Sequence, residues 1–184
     1  MIYFTSDLHL GDERLNLYGR DLIANNSTEI DELIIENWNK LVSEKDTVYV
    51  LGDVCYNSDK AHLISFMRGR KILIKGNYDE QLTNEEWSRY FDVIYDKGLF
   101  LKITSNETVY LNHYPTNGKS DCFNIVGHIH GTWKVQRNMV NVGVDANHFY
   151  PVSLDRIKFQ INGIRNHYDE NVFAGTLKCN QKIL

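Results

Sequence analysis

The stretch Phe-Asn-Ile-Val-Gly-His-Ile-His at residues 123–130 carries the pattern that decides the fold. Its first four residues are mostly apolar and predict a short buried β-strand. Gly127 then permits a sharp turn, and His128 and His130 follow two positions apart, so they face the same side of an extended chain. The pattern predicts a strand whose carboxyl end presents two imidazoles to one side.

Other predicted strands end in the same way. They cover residues 2–5, 47–51, 71–74 and 109–112. The polar side chains at or just beyond their carboxyl ends are Asp7 and His9, Asp53, Asn77 and His113. In open α/β sheets, ligands bind in the crevice beyond the carboxyl ends of the strands. We therefore expect these side chains to converge although they are far apart in the sequence.

Apolar periodicity also predicts the remaining elements. Helices are expected at residues 28–42, 61–67 and 85–90, and Ser27 or Thr28 offers the first of them an N-cap. Residues 99–104 are predicted to form a hairpin with residues 109–112, and residues 139–144 are predicted to form a further strand. Residues 12–26 are predicted to form a long polar loop. After Pro151 the chain turns into a short helix or a closing strand. The alternation of strands and helices indicates an α/β fold.

The composition restricts the class of protein. The 184 residues suit one domain, and the chain is 42% hydrophobic and 24% charged. No apolar stretch is long enough to cross a bilayer and no signal peptide is recognisable, so we expect a cytoplasmic protein with no membrane partner. The net charge of −4 argues against an extended nucleic-acid surface. The three cysteines form no Cys-x-x-Cys pair, so neither a disulfide framework nor a thiolate zinc site is indicated.

The residue types at the strand ends suit a pair of divalent metal ions. Carboxylates offset the charge of such ions, and imidazoles serve as neutral ligands. Two neighbouring ions can hold one phosphate group, polarise its oxygens and generate a hydroxide that attacks in line. Each motif alone has a structural alternative, such as a capped loop or a satisfied buried histidine. Their joint occurrence at successive strand ends favours the metal site.

The order of these motifs resembles that of the calcineurin-like metallophosphoesterase family. The motifs stand here as Asp7-Leu8-His9, Gly52-Asp53, Gly76-Asn77-Tyr78-Asp79, His113 and Gly127-His128-Ile129-His130. The resemblance covers the chain to about Ile157, and its last part is similar to small bacterial and phage-type members. It implies an α/β single domain, a two-sheet β-sandwich flanked by helices, over residues 1–162. Residues 163–184 are expected to form a peripheral C-terminal extension.

The resemblance also implies the ligand set of a dinuclear centre. Asp7, His9 and His130 would hold one ion, Asn77, His113 and His128 the other, and Asp53 would bridge them. The cofactors implied are two divalent metal ions, with Mn²⁺ favoured and Fe, Zn or Ni as alternatives.

One position departs from the family pattern. Tyr78 stands where most members have a histidine that contacts the phosphate and protonates the leaving group, and Asp79 would orient this neighbour. A phenol has an ordinary pKa of about 10 against about 6.5 for imidazole, so it is a poorer proton donor near neutral pH. Asn77, Tyr78 and Arg14, which lies in the long loop, are the expected substrate contacts. The alternative for Tyr78 is an aromatic lid without a role in proton transfer.

The sequence thus predicts a metal-dependent phosphoesterase acting on a small phosphate ester. A phosphodiester or nucleotide-like substrate is favoured, because the chain is compact and the usual histidine is missing. A phosphomonoesterase, including a protein phosphatase, is the alternative within the enzyme class. A weakly active, metal-bound interaction module is the alternative outside it. The seven suitable residues at the seven ligand positions favour an enzyme over that module.

Overall fold

The computed structural model describes residues 1–167, which form two five-stranded sheets with helices against them. The ten strands are β1 Ile2–Thr5, β2 Thr47–Val50, β3 Arg70–Ile74, β4 Val93–Tyr95, β5 Leu99–Lys102, β6 Thr108–Asn112, β7 Phe123–Val126, β8 Val135–Gln136, β9 Met139–Asn141 and β10 Val152–Ser153. The α-helices are α1 Ser27–Leu41, α2 Asn84–Trp87 and α3 Leu154–His167. The described residues also contain six 3₁₀ segments, at Leu15–Leu17, Arg20–Leu22, Ser58–Phe66, Tyr78–Gln81, Pro115–Asn117 and Val144–Ala146.

Both sheets have a parallel centre. The first runs β10-β1-β2-β3-β4, with β1 to β4 parallel and β10 antiparallel at the edge. The second runs β5-β6-β7-β9-β8, with β6, β7 and β9 parallel and the two edge strands antiparallel. A bridge between Ser6 and Gly143 joins the chain beyond β1 to the chain beyond β9. The carboxyl ends of the central strands of the two sheets therefore meet.

Two apolar cores follow from the alternation of side chains along the strands. On β1, Tyr3 packs with Ile34 and Trp38 of α1, whereas the next residue, Phe4, packs with Ile125 of the second sheet and Ile157 of α3. Successive residues of a strand point to opposite faces, so one strand contributes to both cores. The α/β sandwich of two sheets flanked by helices is thus confirmed.

Several predicted boundaries need correction. The N-cap of α1 is Asn26, whose side chain accepts from the Glu29 N–H at 3.1 Å, and not Ser27 or Thr28. The predicted helix at residues 61–67 is the 3₁₀ segment Ser58–Phe66, and the loop 12–26 contains two further 3₁₀ turns. β4 and β8 were not predicted.

The chain after Pro151 forms both a closing strand and a helix. β10 pairs with β1, and α3 continues for 14 residues, through the position where residues 163–184 were expected to begin an extension. The part of that extension after residue 167 lies outside the described residues. Across residues 1–167, none of the helices has the length and apolarity that a membrane span requires.

Candidate metal centre

The strand ends bring together two groups of potential metal ligands. One consists of Asp7, His9 and His130, and the other of Asp53, His113 and His128. Within each group, one ligand atom per residue lies within 4.8 Å of the others. These are six of the seven residues predicted as ligands, and they fall into two groups.

Asp53 lies between the two groups. Its Oδ2 is 3.5 Å from Nε2 of His9 in the first group and 3.3 Å from Nε2 of His113 in its own group. Nε2 of His113 in turn lies 3.1 Å from Nδ1 of His128. One carboxylate within reach of both groups has the position that a bridging ligand needs.

His9 supplies a test of whether a cation fits. The side chain is buried, and within residues 1–167 neither of its ring nitrogens has a hydrogen-bond partner. Buried polar atoms are nearly always satisfied, so an unpartnered imidazole in the interior calls for a partner of another kind. A divalent ion would satisfy it, and the mixed set of carboxylates and imidazoles is suited to binding one.

The electrostatics of the centre also favour a cation. Burial raises the pKa of Asp7, because the charged form loses its water. Burial lowers the pKa of His113, but the hydrogen bond to Asp53 and the charge of Asp7 outweigh it and raise that pKa to about 9. The carboxylates around His113 thus favour positive charge at this position.

The backbone of the centre is strained. Five of the predicted ligands adopt the left-handed conformation although they are not glycine. Their φ values are 58° for Asp7, 46° for His9, 56° for Asp53, 74° for His128 and 49° for His130. Such conformations cost about 1–3 kcal/mol each and concentrate at functional sites, where the surrounding structure enforces them.

Gly52 allows two of the motif loops to touch. Its φ is +81°, and a Cβ there would lie 2.5 Å from the backbone nitrogen of Gly76 and 2.7 Å from Nδ1 of His113. A side chain at residue 52 would therefore separate the loops after β2 and β3 and displace a predicted ligand.

The Asp79 carboxylate links the same two loops through hydrogen bonds from their backbone N–H groups. Asp79 is fully buried, and its carboxylate accepts from the backbone N–H groups of Asp53 at 2.8 Å, Val54 at 2.9 Å and Gly76 at 2.8 Å. Burial raises its pKa to about 6 despite these bonds. The carboxylate thus positions the backbone of Asp53, whereas its predicted partner was Tyr78. A direct part in catalysis stays a prediction.

Two of the three predicted substrate contacts, Arg14 and Tyr78, lie beside the first group. Nη2 of Arg14 donates to the Tyr78 hydroxyl at 3.0 Å. The Tyr78 ring meets His9 edge-on, with 4.8 Å between ring centroids. Tyr18, from the same loop as Arg14, stacks on His130 at 3.9 Å. This loop therefore forms one wall of the centre.

Asn77, the seventh predicted ligand, lies at the rim of the second group. Its side chain is exposed, and its Oδ1 accepts from the Tyr114 hydroxyl at 3.3 Å. The following N–H, of Tyr78, donates to Oδ1 of Asp53 at 3.0 Å, which ties this segment to the centre. Metal coordination by Asn77 stays a prediction.

Two residues that support the centre were not predicted. Oδ2 of Asp145 accepts from Nδ1–H of His130 at 2.6 Å, and the buried Arg20 pairs with Asp145 while donating to the carbonyls of Asp7 and Leu8. The segment around Asp145 was noted for its similarity to small family members, and that was the signal available.

Comparisons with known proteins place the chain among uncharacterized relatives. It is 30% identical over 168 residues to the uncharacterized protein MJ1445 of Methanocaldococcus jannaschii, over 85% of this chain and 88% of that protein. It is 42% identical over 82 residues to the gene 66 protein of Mycobacterium phage L5, over 42% of this chain and 39% of that protein. No protein-family model matches.

Solved structures give a similar result. The protein of unknown function AQ665 from Aquifex aeolicus superimposes with a TM-score of 0.71 at 26% identity, over 88% of this chain and 99% of that one. A conserved protein of Streptococcus pneumoniae, described as a predicted phosphoesterase, matches with a TM-score of 0.38 at 16% identity, over 77% of this chain and 70% of that one.

Proposed function

The chain belongs to the same protein family as MJ1445 of M. jannaschii, and for this member we propose a metal-dependent phosphoesterase activity. The substrate is a small phosphate ester, with a phosphodiester or nucleotide-like compound favoured. Two divalent ions, with Mn²⁺ the first choice, are the cofactors. The resemblance of the ordered motifs to calcineurin-like metallophosphoesterases supports the same assignment.

One observation carries the proposal. Two carboxylates and four imidazoles converge at the carboxyl ends of strands from both sheets, and they form two groups that both approach Asp53. His9, in the first group, is buried without a hydrogen-bond partner for either ring nitrogen among the described residues. Such a donor set is suited to two ions that share a carboxylate, the arrangement used to hold and polarise a phosphate.

Bound ions would act as Lewis acids on the phosphate and lower the pKa of a water molecule. The protein contributes positioning. Asp145 fixes the ring of His130 through its Nδ1–H, which leaves Nε2 for the ion. In the second group, Nδ1–H of His113 donates to the Leu51 carbonyl at 2.7 Å, with the same effect. Both imidazoles are thereby held in a single tautomer.

Arg14 and Tyr78 are suited to contact the phosphate. Nη2 of Arg14 donates to Oδ2 of Asp12 at 2.7 Å, which fixes the side chain of Arg14. The guanidinium carbon of Arg14 lies 4.1 Å from the ring centroid of Tyr56. The Tyr78 hydroxyl accepts one hydrogen bond from Arg14, so its own proton is directed elsewhere. A phosphate oxygen at the centre is a fitting acceptor for that proton, and Arg14 adds positive charge nearby.

A metal-reconstituted assay tests the proposal. The purified protein is freed of metal by chelation and supplied with Mn²⁺, Ni²⁺, Zn²⁺ or Mg²⁺, with bis(p-nitrophenyl) phosphate and p-nitrophenyl phosphate as substrates. We expect metal-dependent hydrolysis that is faster on the diester, and two bound ions per chain by elemental analysis. A faster monoester reaction would instead assign a phosphomonoesterase.

Variants make the assay specific for the centre. Asp53→Asn should weaken both metal sites and His128→Ala should abolish turnover, whereas His62→Ala, which changes an exposed histidine away from the centre, should leave turnover unchanged. Circular dichroism would show that each variant is folded. No metal-dependent hydrolysis of either ester by the wild-type protein would overturn the proposal and favour an interaction module.

A further inference from the structure

A second polar cavity lies beside the proposed metal centre. Its volume is about 470 Å³, within the range of small-molecule sites. Its wall includes Lys75, Asn112 and Tyr114. Lys75 precedes the predicted ligand Asn77 by two residues, and Asn112 and Tyr114 flank the ligand His113. The segments that carry Asn77 and His113 therefore also contribute to this cavity.

The side chain of Tyr114 lies between the cavity and the proposed metal centre. Its ring centroid lies 4.7 Å from that of His113 and 4.8 Å from that of His128. Its hydroxyl donates to Oδ1 of Asn77 at 3.3 Å, and the same residue lines the cavity. Only the thickness of one side chain therefore separates a phosphate at the second group from the cavity.

The charged residues of the cavity give it a positive balance. They are Lys75, Lys97, Lys119 and Asp96. Nζ of Lys75 is 3.5 Å from Oδ1 of Asp96, and Nζ of Lys119 lies 5.1 Å from the ring centroid of Tyr110. Three lysines against one aspartate leave positive charge in excess, although the chain as a whole carries −4. Ammonium groups bind phosphate as compact point charges.

Neutral donors add to the lysines. Asn112 is 6% exposed, and its Oδ1 accepts from the Tyr114 N–H at 2.8 Å, which fixes the orientation of the amide. One hydrogen of its Nδ2 is directed at the Tyr110 hydroxyl, 3.4 Å away. Both polar groups line the cavity. Fixed amide and hydroxyl donors beside ammonium groups are typical of a site for an oxyanion.

We propose that this lysine cavity, lined by Lys75, Lys97, Lys119 and Asn112, binds a second phosphate group of the substrate. The scissile ester lies at the metal centre on the other side of Tyr114. That the bound phosphate group belongs to the substrate rests on the proposed function. The affinity of the cavity for phosphate does not depend on that function. The preferred substrates are therefore esters that carry a further phosphate.

A matched pair of substrates tests the assignment. The p-nitrophenyl ester of thymidine 5′-phosphate is compared with the same ester carrying a 3′-phosphate, on the wild type and on a Lys97→Ala/Lys119→Ala double variant. We expect the wild type to prefer the 3′-phosphorylated ester, and the double variant to lose tenfold or more of kcat/KM on that ester alone. Lys102→Ala, an exposed lysine of β5 outside the cavity, is the control. An equal change on both esters, or none, overturns the inference and leaves the esterase activity intact.

Binding to the metal-free protein separates the two proposals. Inorganic phosphate is titrated calorimetrically into chelated, dialysed wild type, double variant and Lys102→Ala. We expect the double variant to bind at least tenfold more weakly than the other two. If the wild type hydrolyses no ester but this difference is found, the proposed function fails and the cavity is a site for free phosphate. If all three bind alike, the cavity is not a phosphate site.

Discussion

Arg20 and Asp145 form a bidentate ion pair behind the candidate metal ligands, with Nε to Oδ1 at 2.7 Å and Nη2 to Oδ2 at 3.1 Å. Both side chains are almost completely buried. The same Oδ2 accepts from Nδ1–H of His130 at 2.6 Å. A carboxylate that fixes a histidine in this way raises its basicity as a metal ligand, so the ion pair connects the fold of the 3₁₀ segment Arg20–Leu22 to the proposed centre.

The first prediction concerns this carboxylate. Asp145→Asn should weaken Mn²⁺ binding about 10- to 100-fold, because His130 loses the anionic acceptor that orients it. Titration of the metal-free protein with Mn²⁺ measures the change. Asp155→Asn removes an exposed carboxylate of α3 and should bind as the wild type does. Equal affinities for Asp145→Asn and the wild type would show that His130 needs no such support.

The second prediction concerns Asp79, whose carboxylate links the loops after β2 and β3. Asp79→Ala removes the acceptor of three backbone N–H groups, and buried donors left unpaired cost about 1–3 kcal/mol each. We expect the free energy of unfolding in urea, with chelator present, to fall by at least about 3 kcal/mol. Glu80→Ala, at the exposed neighbouring position, should change it by less than about 0.5 kcal/mol. If Asp79→Ala lowers the free energy of unfolding as little as Glu80→Ala does, Asp79 does not position these loops.

The third prediction concerns Tyr78 and the leaving group. An aryl oxide leaves without protonation, whereas an alkoxide needs a proton in the transition state, which a phenol supplies less readily than an imidazolium. The wild type should therefore hydrolyse aryl phosphodiesters far better than alkyl ones. Tyr78→His should raise kcat/KM on alkyl esters selectively, by about tenfold or more.

The measurement is kcat/KM against the pKa of the leaving group for both proteins at one saturating Mn²⁺ concentration. Tyr78→Phe serves as the matched control, because it keeps the ring beside His9 and removes the hydroxyl that Arg14 contacts. If kcat/KM depends on the pKa of the leaving group no more steeply in the wild type than in Tyr78→His, Tyr78 does not limit protonation of the leaving group. Tyr78 then acts only as an aromatic lid.

The fourth prediction concerns pH. Asp31 of α1 accepts from the Gly11 N–H through both oxygens, at 3.0 and 3.1 Å, and burial raises its pKa to about 6. The folded state thus holds this proton more tightly than the unfolded state. The stabilisation is fully present below the ordinary pKa of about 4 and is lost as the pH rises through 6.

Asp31→Asn removes this titration and keeps one acceptor for Gly11. At pH 8 it should raise the free energy of unfolding by on the order of 1 kcal/mol, and this gain should vanish towards pH 4. Urea unfolding of both proteins at several pH values measures it. Asp21→Asn, which changes an exposed carboxylate, should show no such trend. A gain for Asp31→Asn that is the same at pH 4 and pH 8 would contradict the raised pKa.

Local patterns were sufficient to predict the central strands and the clustering of six polar residues at their carboxyl ends. Buried parallel strands are short apolar runs, and each is followed by a polar ligand at its carboxyl end, so both signals lie within a few residues of each other. β4 and β8 were missed because each is a short edge strand whose residues are only partly buried, which leaves a weak apolar pattern. The N-cap of α1 was misplaced because Asn26, Ser27 and Thr28 are all residues that cap helices well.

Other features depend on contacts that no local pattern carries. Arg20 and Asp145 are 125 residues apart, and each alone is typical of a solvated loop. Asp53 and His128 have positive φ values, which are uncommon for residues other than glycine, and nothing in the neighbouring sequence predicts them. The lysine cavity likewise combines residues from three separate loops, and its charge contrasts with the negative balance of the whole sequence.

The contact between Asp7 and His128 has a consequence for the biosynthesis of the protein. The carboxylate of Asp7 accepts from the His128 N–H at 3.0 Å across 121 positions of the chain. At a translation rate of about 5–20 residues per second, roughly 6 to 24 s pass between the synthesis of these two residues. During that time a nascent chain has four of the six clustered residues but lacks His128 and His130, so each of the two groups is incomplete. Under the proposed function, ions would therefore be bound late, by a chain with both sheets in place.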